Sequence, residues 1–170
     1  MTVLRGRARV VGDDVNTDSI ISSTRKRESL DPQVLKQFLF EHVDPGFAAS
    51  VLSGDILVAG KNFGCGSAME VAVTTVLGAG IPAVIAKSFA RTYYRNAINN
   101  GLLPLICDTS GIQDGDILIS DETGAIRNTR NGDTLRPEPL PEIMKAILGA
   151  GGLVPYMRKN GDFKHGDFKL

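Results

Sequence analysis

Apolar positions along this chain follow two periods. Three short runs carry almost no polar interruption: Asp55-Ile56-Leu57-Val58-Ala59, Pro82-Ala83-Val84-Ile85-Ala86 and Leu102-Leu103-Pro104-Leu105-Ile106-Cys107. Such runs read as strands buried on both faces. Between them the period lengthens. Met69, Ala72, Val73, Val76 and Leu77 recur at the spacing of one helix face, closed by Gly78-Ala79-Gly80. Ala90, Tyr93, Tyr94, Ala97 and Ile98 form a second stripe, with Ser88 placed as its cap and Gly101 as its stop. Strands alternating with helices predict parallel pairing through crossovers.

The flanks are less regular. Residues 3–11 read as a strand, with Arg5, Arg7 and Arg9 on one face and Val3, Ala8 and Val10 partly on the other. A polar turn from Gly12 to Asp18 follows, then Ile20-Ile21 and the basic segment Thr24-Arg25-Lys26-Arg27-Glu28. Asp31-Pro32 signals a helix start whose buried stripe is Val34, Leu35, Phe38 and Leu39, ended by Asp44-Pro45-Gly46. Residues 116–120 and 125–128 read as a hairpin. Pro139-Leu140-Pro141 opens a last helix facing inward through Leu140, Ile143, Met144, Ile147 and Leu148, and Gly149 ends it. With no repeat and no shift of composition, residues 1–157 are expected to form a single domain, and polar residues 158–170 a mobile tail.

Composition narrows the function classes. Lys+Arg and Asp+Glu balance at 19 each, so there is no general electrostatic case for nucleic acid or an anionic membrane. No apolar run approaches the ~18 residues of a spanning helix, and the N-terminal stretch lacks a signal-peptide core, so a cytoplasmic location is expected. Two cysteines and two histidines without ligand spacing argue against a metal site within this chain.

The candidate chemistry lies in Gly60-Lys61-Asn62-Phe63-Gly64-Cys65-Gly66-Ser67-Ala68-Met69-Glu70, which joins a strand to a helix. Glycines allow backbone angles closed to other residues, and a helix start offers unpaired N–H groups to an anion or to an oxygen becoming negative. Ser67 is expected at that junction, where a helix cap is the plain account and a reactive hydroxyl the alternative. Neither Gly-x-Gly-x-x-Gly nor a phosphate-loop Gly-Lys-Ser/Thr ending is present, which disfavours a stand-alone nucleotide-binding domain.

Gly60-x-Asn62-Phe63-Gly64-Cys65-Gly66-Ser67 resembles the signature of small subunits of 3-isopropylmalate dehydratase and is similar to the swivelling C-terminal domain of aconitases. Val15-Asn16-Thr17-Asp18-Ser19-Ile20-Ile21, Ala86-Lys87-Ser88-Phe89-Ala90-Arg91 with Tyr94-Arg95-Asn96-Ala97 and Gly101-Leu102-Leu103-Pro104, and Gly151-Gly152-Leu153-Val154-Pro155-Tyr156 resemble other segments of that family, in order. The resemblance implies an α/β fold, a β/β/α swivelling domain like aconitase domain 4, with a largely parallel central sheet flanked by helices. It implies a large-subunit partner carrying a [4Fe-4S] cluster, in a heterodimer or heterotetramer. The activity implied is that of a hydro-lyase interconverting 3- and 2-isopropylmalate in leucine biosynthesis. Ser67 matches the family's base. Gly66, Ala68 and Met69 match the substrate-lining positions, and Lys87 and Ser88 would face substrate or partner. Asn62, Gly64, Cys65 and Asp18 are expected to shape the loop, Cys65 not being a cluster ligand.

One departure bears on the substrate. Where the family continues Gly-Ser-Ser-Arg-Glu, this chain has Gly66-Ser67-Ala68-Met69-Glu70. Met69 removes a guanidinium suited to bidentate pairing with a substrate carboxylate. Arg25 or Arg27, in the segment matching the family's selecting loop, is the candidate replacement. The alternatives are a homoaconitate-, citraconate- or dimethylmaleate-type diacid, or a non-catalytic binding or regulatory paralogue.

Overall fold

The computed structural model describes residues 3–161. At its centre is a seven-stranded sheet of order β4-β3-β2-β1-β5-β6-β7. The three apolar runs form β2 (Ile56–Ala59), β3 (Ala83–Ala86) and β4 (Leu103–Ile106), and residues 3–11 contribute β1 (Arg5–Val10). β1 to β4 pair in parallel. The expected hairpin forms β5 (Ile117–Ser120) and β6 (Ile126–Asn128), extended by a short β7 (Thr134–Leu135), all antiparallel. β1 joins the two halves. Its residues Arg5 to Arg7 pair with β5, whereas Ala8 to Val10 pair with β2. The sheet is therefore parallel on one side of β1 and antiparallel on the other.

Alternate residues of β2 and β3 feed two cores, as the period of two requires. Leu57, Ala59, Val84 and Ala86 pack with Ile20, Val73, Val76 and Tyr93. Ile56, Val58, Ala83 and Ile85 pack with Ala8, Leu118 and Ile126 on the opposite face. The crossovers between the strands are α5 (Val71–Gly78) and α6 (Arg91–Asn100), and α6 stops at Gly101 in a left-handed conformation. α7 (Glu142–Gly149) and α8 (Leu153–Asn160) pack beside α6 around Ile98, Ile147 and Tyr156. The stretch expected as a tail from Arg158 thus begins inside α8, and residues 162–170 lie outside the described residues. No described helix is long and apolar enough to cross a membrane.

The flank before β2 differs most from expectation. The polar turn and basic segment fold as two short helices, α1 (Thr17–Ile20) and α2 (Ser23–Glu28), capped by the side chains of Asn16 and Ser22. The helix expected from Asp31 breaks into α3 (Pro32–Leu35) and a 3-10 turn, Lys36–Phe38. It breaks because Leu39 and Phe40 both bury their side chains, with Phe40 at φ +58°. Val34 stays exposed, and a further short helix, α4 (Phe47–Ser50), follows. Along residues 3–10 the expected faces are altered: Val3, which precedes β1, and Val10 are exposed while Arg9 is buried. Arg9 lies over the Phe47 ring at 4.5 Å and 3.7 Å from Asp55, which Arg7 holds at 2.7 Å. Burial opposes the Asp55 charge, yet the hydrogen bonds from Arg7 and the Leu52 N–H hold its carboxyl below the ordinary range.

Candidate active site

The glycine-rich stretch emerges beyond the C-terminal end of β2 and continues as an extended thread between two neighbouring segments. On one side the Asp14 N–H donates to Lys61 O at 2.8 Å, Gly64 N–H to Val15 O at 2.8 Å and Thr17 N–H to Cys65 O at 2.8 Å. On the other, Lys87 N–H donates to Gly60 O at 3.0 Å, Phe63 N–H to Ser88 O at 3.0 Å and Ala90 N–H to Phe63 O at 2.8 Å. These are the C-terminal continuations of β1 and β3, so the thread prolongs their pairing with β2. Crevices beyond the C-terminal ends of parallel strands are where such sheets place ligands.

Each side chain of the thread has a definable task. Phe63 is fully buried against Phe89 and Tyr93. Gly64, at φ +79°, passes so close to Tyr93 that a Cβ there would collide with the ring. Gly66, at φ +89°, lies against Asn16, whose Nδ2 would be 2.5 Å from an added Cβ. Asn62, at φ +58°, donates through Nδ2 to Asp14, and its N–H donates to Ser88 Oγ at 2.8 Å. Cys65 Sγ donates to Asp14 O at 3.4 Å. Asp18 holds the start of α2 through the Ser23 N–H at 3.0 Å. These residues shape the loop.

Ser67 follows, with an exposed side chain that makes no hydrogen bond among the described residues. Its own backbone is pinned, because Thr17 Oγ1 donates to Ser67 O at 2.9 Å. The backbone N–H groups of Ser67, Ala68, Met69 and Glu70 likewise have no acceptor among the described residues. A hydroxyl is thus presented on a fixed turn beside a run of free donors.

Four sequence expectations are corrected here. Ser67 neither caps nor opens the helix: α5 starts at Val71 with Glu70 before it, and a helix dipole acts only over its terminal turn. Met69 is 4% exposed and packs in the core, the role that its place on the apolar stripe gives it, rather than on an exposed surface. Ser88 does not cap α6, whose N-cap is Ala90 without a side-chain bond; its hydroxyl holds Asn62 instead. Arg25 carries its own carboxylates, donating from Nε and Nη2 to Glu41 at 3.0 Å each and from Nη1 to Glu28 at 3.0 Å, over the Phe38 ring at 3.9 Å.

Arg27 and Ala68 are exposed, as is Gly66, and Arg27 has no partner among the described residues. Lys87 is half-buried with Nζ 3.7 Å from Asp108. The hydrogen bonds from Ser110 hold the Asp108 carboxyl below its usual range, with Lys87 adding to the effect. Burial, then Asp108, pushes the neighbouring Cys107 thiol up to about 11, so it stays protonated and unreactive near neutral pH. Asn16 and Thr17, which shape and pin the Ser67 turn, were hidden in what read as a polar turn; their signal was only the Asn-Thr-Asp order itself. A cleft of about 900 Å³ lies elsewhere, along Val3, Leu4, Pro82, Leu103 and Leu140, and one of about 380 Å³ along Leu105, Glu122, Arg136 and Leu140; neither includes a residue of this turn. The Ser67 surface is open, as one wall of a site would be.

Comparison with known proteins gives this arrangement a setting. Residues 39–110 match the family described as the aconitase C-terminal domain. The chain is 45% identical to the 3-isopropylmalate dehydratase small subunit 1 of Methanopyrus kandleri, over 94% of this chain and 95% of that one. It is 46% identical to the methanogen homoaconitase small subunit of Methanocaldococcus jannaschii, over 92% of each chain. A solved structure of 3-isopropylmalate dehydratase from the latter organism superposes with a TM-score of 0.90 at 45% identity, covering 94% of this chain and 96% of that one.

Proposed function

The chain belongs to the family of 3-isopropylmalate dehydratase small subunits, and from that premise we propose that it supplies one wall of a hydro-lyase active site. The other wall comes from a large subunit, and the reaction removes water from a hydroxy-diacid and returns it at the neighbouring carbon. The preferred substrate pair is 3- and 2-isopropylmalate, and the setting is the cytoplasm. The observation that carries the proposal is Ser67: exposed, unpartnered at Oγ, and fixed by Thr17 through its carbonyl.

Dehydration needs a base for a weakly acidic hydrogen on the carbon beside a carboxylate. Ser67 Oγ takes that proton. An alkoxide is costly near neutral pH, and the free N–H groups around residues 67–70 lower that cost by hydrogen bonding to developing negative charge. Among the described residues no group of three His, Cys, Asp or Glu side chains could hold a metal ion. A [4Fe-4S] cluster, held by the large subunit, would supply Lewis-acid chemistry toward the departing hydroxyl. This chain's part is to take the proton and to hold the diacid, with Arg27 and Lys87 as the carboxylate-facing cations.

A second reading, a different diacid, is favoured by one observation. The position where the family carries a carboxylate-gripping arginine is Met69, buried in the core, while the exposed cation is Arg27 on α2. That rearrangement fits a homoaconitate-, citraconate- or dimethylmaleate-type substrate. A non-catalytic paralogue is disfavoured, because the chain keeps Ser67 together with the glycines and the Lys87–Arg91 segment around it.

The test is co-expression with a large subunit, anaerobic reconstitution and a panel of hydroxy-diacids. Turnover of isopropylmalate above all others supports the first reading and preference for another diacid the second. Assembly without turnover of any diacid rejects both.

A further inference from the structure

The carboxylate of Glu41 receives two hydrogen bonds from Arg25, and nothing in the proposed chemistry uses either residue. Their placement has a consequence for α2. Thr17 and Asn16 touch the Ser67 turn directly, α1 begins at Thr17, and Asp18 binds the first N–H of α2. α2 is therefore the first element beyond the contact with the candidate base. Its sequence, Ser-Thr-Arg-Lys-Arg-Glu, has no apolar residue and none of its residues is buried, so no core packing holds it. A six-residue helix without packing is unstable in water. What holds it is the cap at Ser22, the Asp18 bond and the grip of Arg25 on Glu41, Glu28 and the Phe38 ring.

Glu41 is itself fixed. Phe40 before it is buried at φ +58°, donates its N–H to Ile20 O at 2.9 Å and packs edge-on against Phe47. The chain thus accepts a left-handed backbone at a bulky residue, an unfavourable state, at the point that presents Glu41 to α2. Residues two apart on a helix point to nearly opposite sides. With Arg25 turned onto the body of the protein, Arg27 is directed away from it, exposed and unpartnered among the described residues.

We propose that Glu41 is a positioning residue: by clamping Arg25 it sets the orientation of α2 and so holds Arg27 toward a carboxylate of the substrate. This rests on the reading of Ser67 as one wall of a hydro-lyase site. Glu41 touches no substrate and acts only through Arg25.

The test uses the assembled two-subunit enzyme and five variants. Glu41→Ala is expected to raise KM for the diacid about ten-fold with kcat within about two-fold, and Arg27→Ala to do the same. The double variant is expected to be no worse than Arg27→Ala alone, because both changes remove one interaction. In the isolated chain, Glu41→Ala should also speed amide exchange at residues 26–29. Glu41→Gln, which keeps the shape and loses the charge, should show a smaller KM rise in the same direction if the alanine variant folds poorly. A KM at the wild-type value in either Glu41 variant, or single effects that multiply in the double variant, overturns the proposal. Ser67→Ala, run alongside, separates the failures. If it is inactive while Glu41→Ala binds normally, only the clamp is wrong; if it turns over normally, the site reading fails and the clamp falls with it.

Discussion

At the scale of residues, the site is a matter of backbone angles and of which polar groups are already occupied. Gly66 adopts φ +89° against Asn16, so Gly66→Ala must both strain the backbone and displace that side chain. A left-handed residue with a Cβ costs roughly 1–2 kcal/mol before any clash. The variant is expected to lose most of its turnover with only a modest fall in Tm, checked by kinetics and thermal unfolding of the assembled enzyme. The two arginines of α2 should separate. Arg25→Ala leaves Glu41 without its main partner and is expected to lower Tm as well as raise KM through the released α2, because that carboxyl is held below its ordinary range chiefly by the Arg25 hydrogen bonds. Arg27→Ala, with no partner to lose, is expected to leave Tm unchanged and to raise KM.

At the scale of elements, the thread from Gly60 to Ser67 depends on bonds to two other segments. Removing the Ser88 hydroxyl leaves the Asn62 N–H without its acceptor. Ser88→Ala is expected to cost about 1 kcal/mol of stability and to reduce turnover, measured by urea unfolding and kcat. This bond shows why part of the site was not legible. Ser88 stands before a helical stripe and has the look of a cap, yet its partner lies 26 residues earlier in sequence. Strands β2 to β4 and helices α5 and α6 could be read because their periodicity reports burial. α1 and α2 carry no apolar stripe; their helical signal sits in the caps Asn16 and Ser22 and in the Arg25–Glu28 pair. The position of Ser67 was legible from the glycine pattern. Its surroundings were not, because Thr17 pins the turn and α5 begins at Val71, four residues beyond Ser67.

At the scale of the whole molecule, the sheet divides into a parallel half that carries the site and an antiparallel half that does not. Asp116 anchors the second half. It accepts from Arg130 Nε at 2.6 Å, from Asn128 Nδ2 at 2.6 Å and from the Gln113 N–H. The hydrogen bond from Arg130 leads in holding its pKa down to about 2. A folded-state pKa below the unfolded value stabilises above the unfolded pKa and loses that effect as pH falls through the folded one. Thermal stability is therefore expected to fall between about pH 4 and pH 2. Asp116→Asn should lower Tm at neutral pH and flatten that dependence, with KM unchanged because the site is in the other half. Ser67 is to act as the base in an enzyme assembled from two chains. Its most direct test is the turnover of Ser67→Ala in that assembly, with association and Tm measured on the same sample. The expected result is intact assembly and a turnover reduced by about 10²–10⁴-fold. Turnover at the wild-type rate would contradict it.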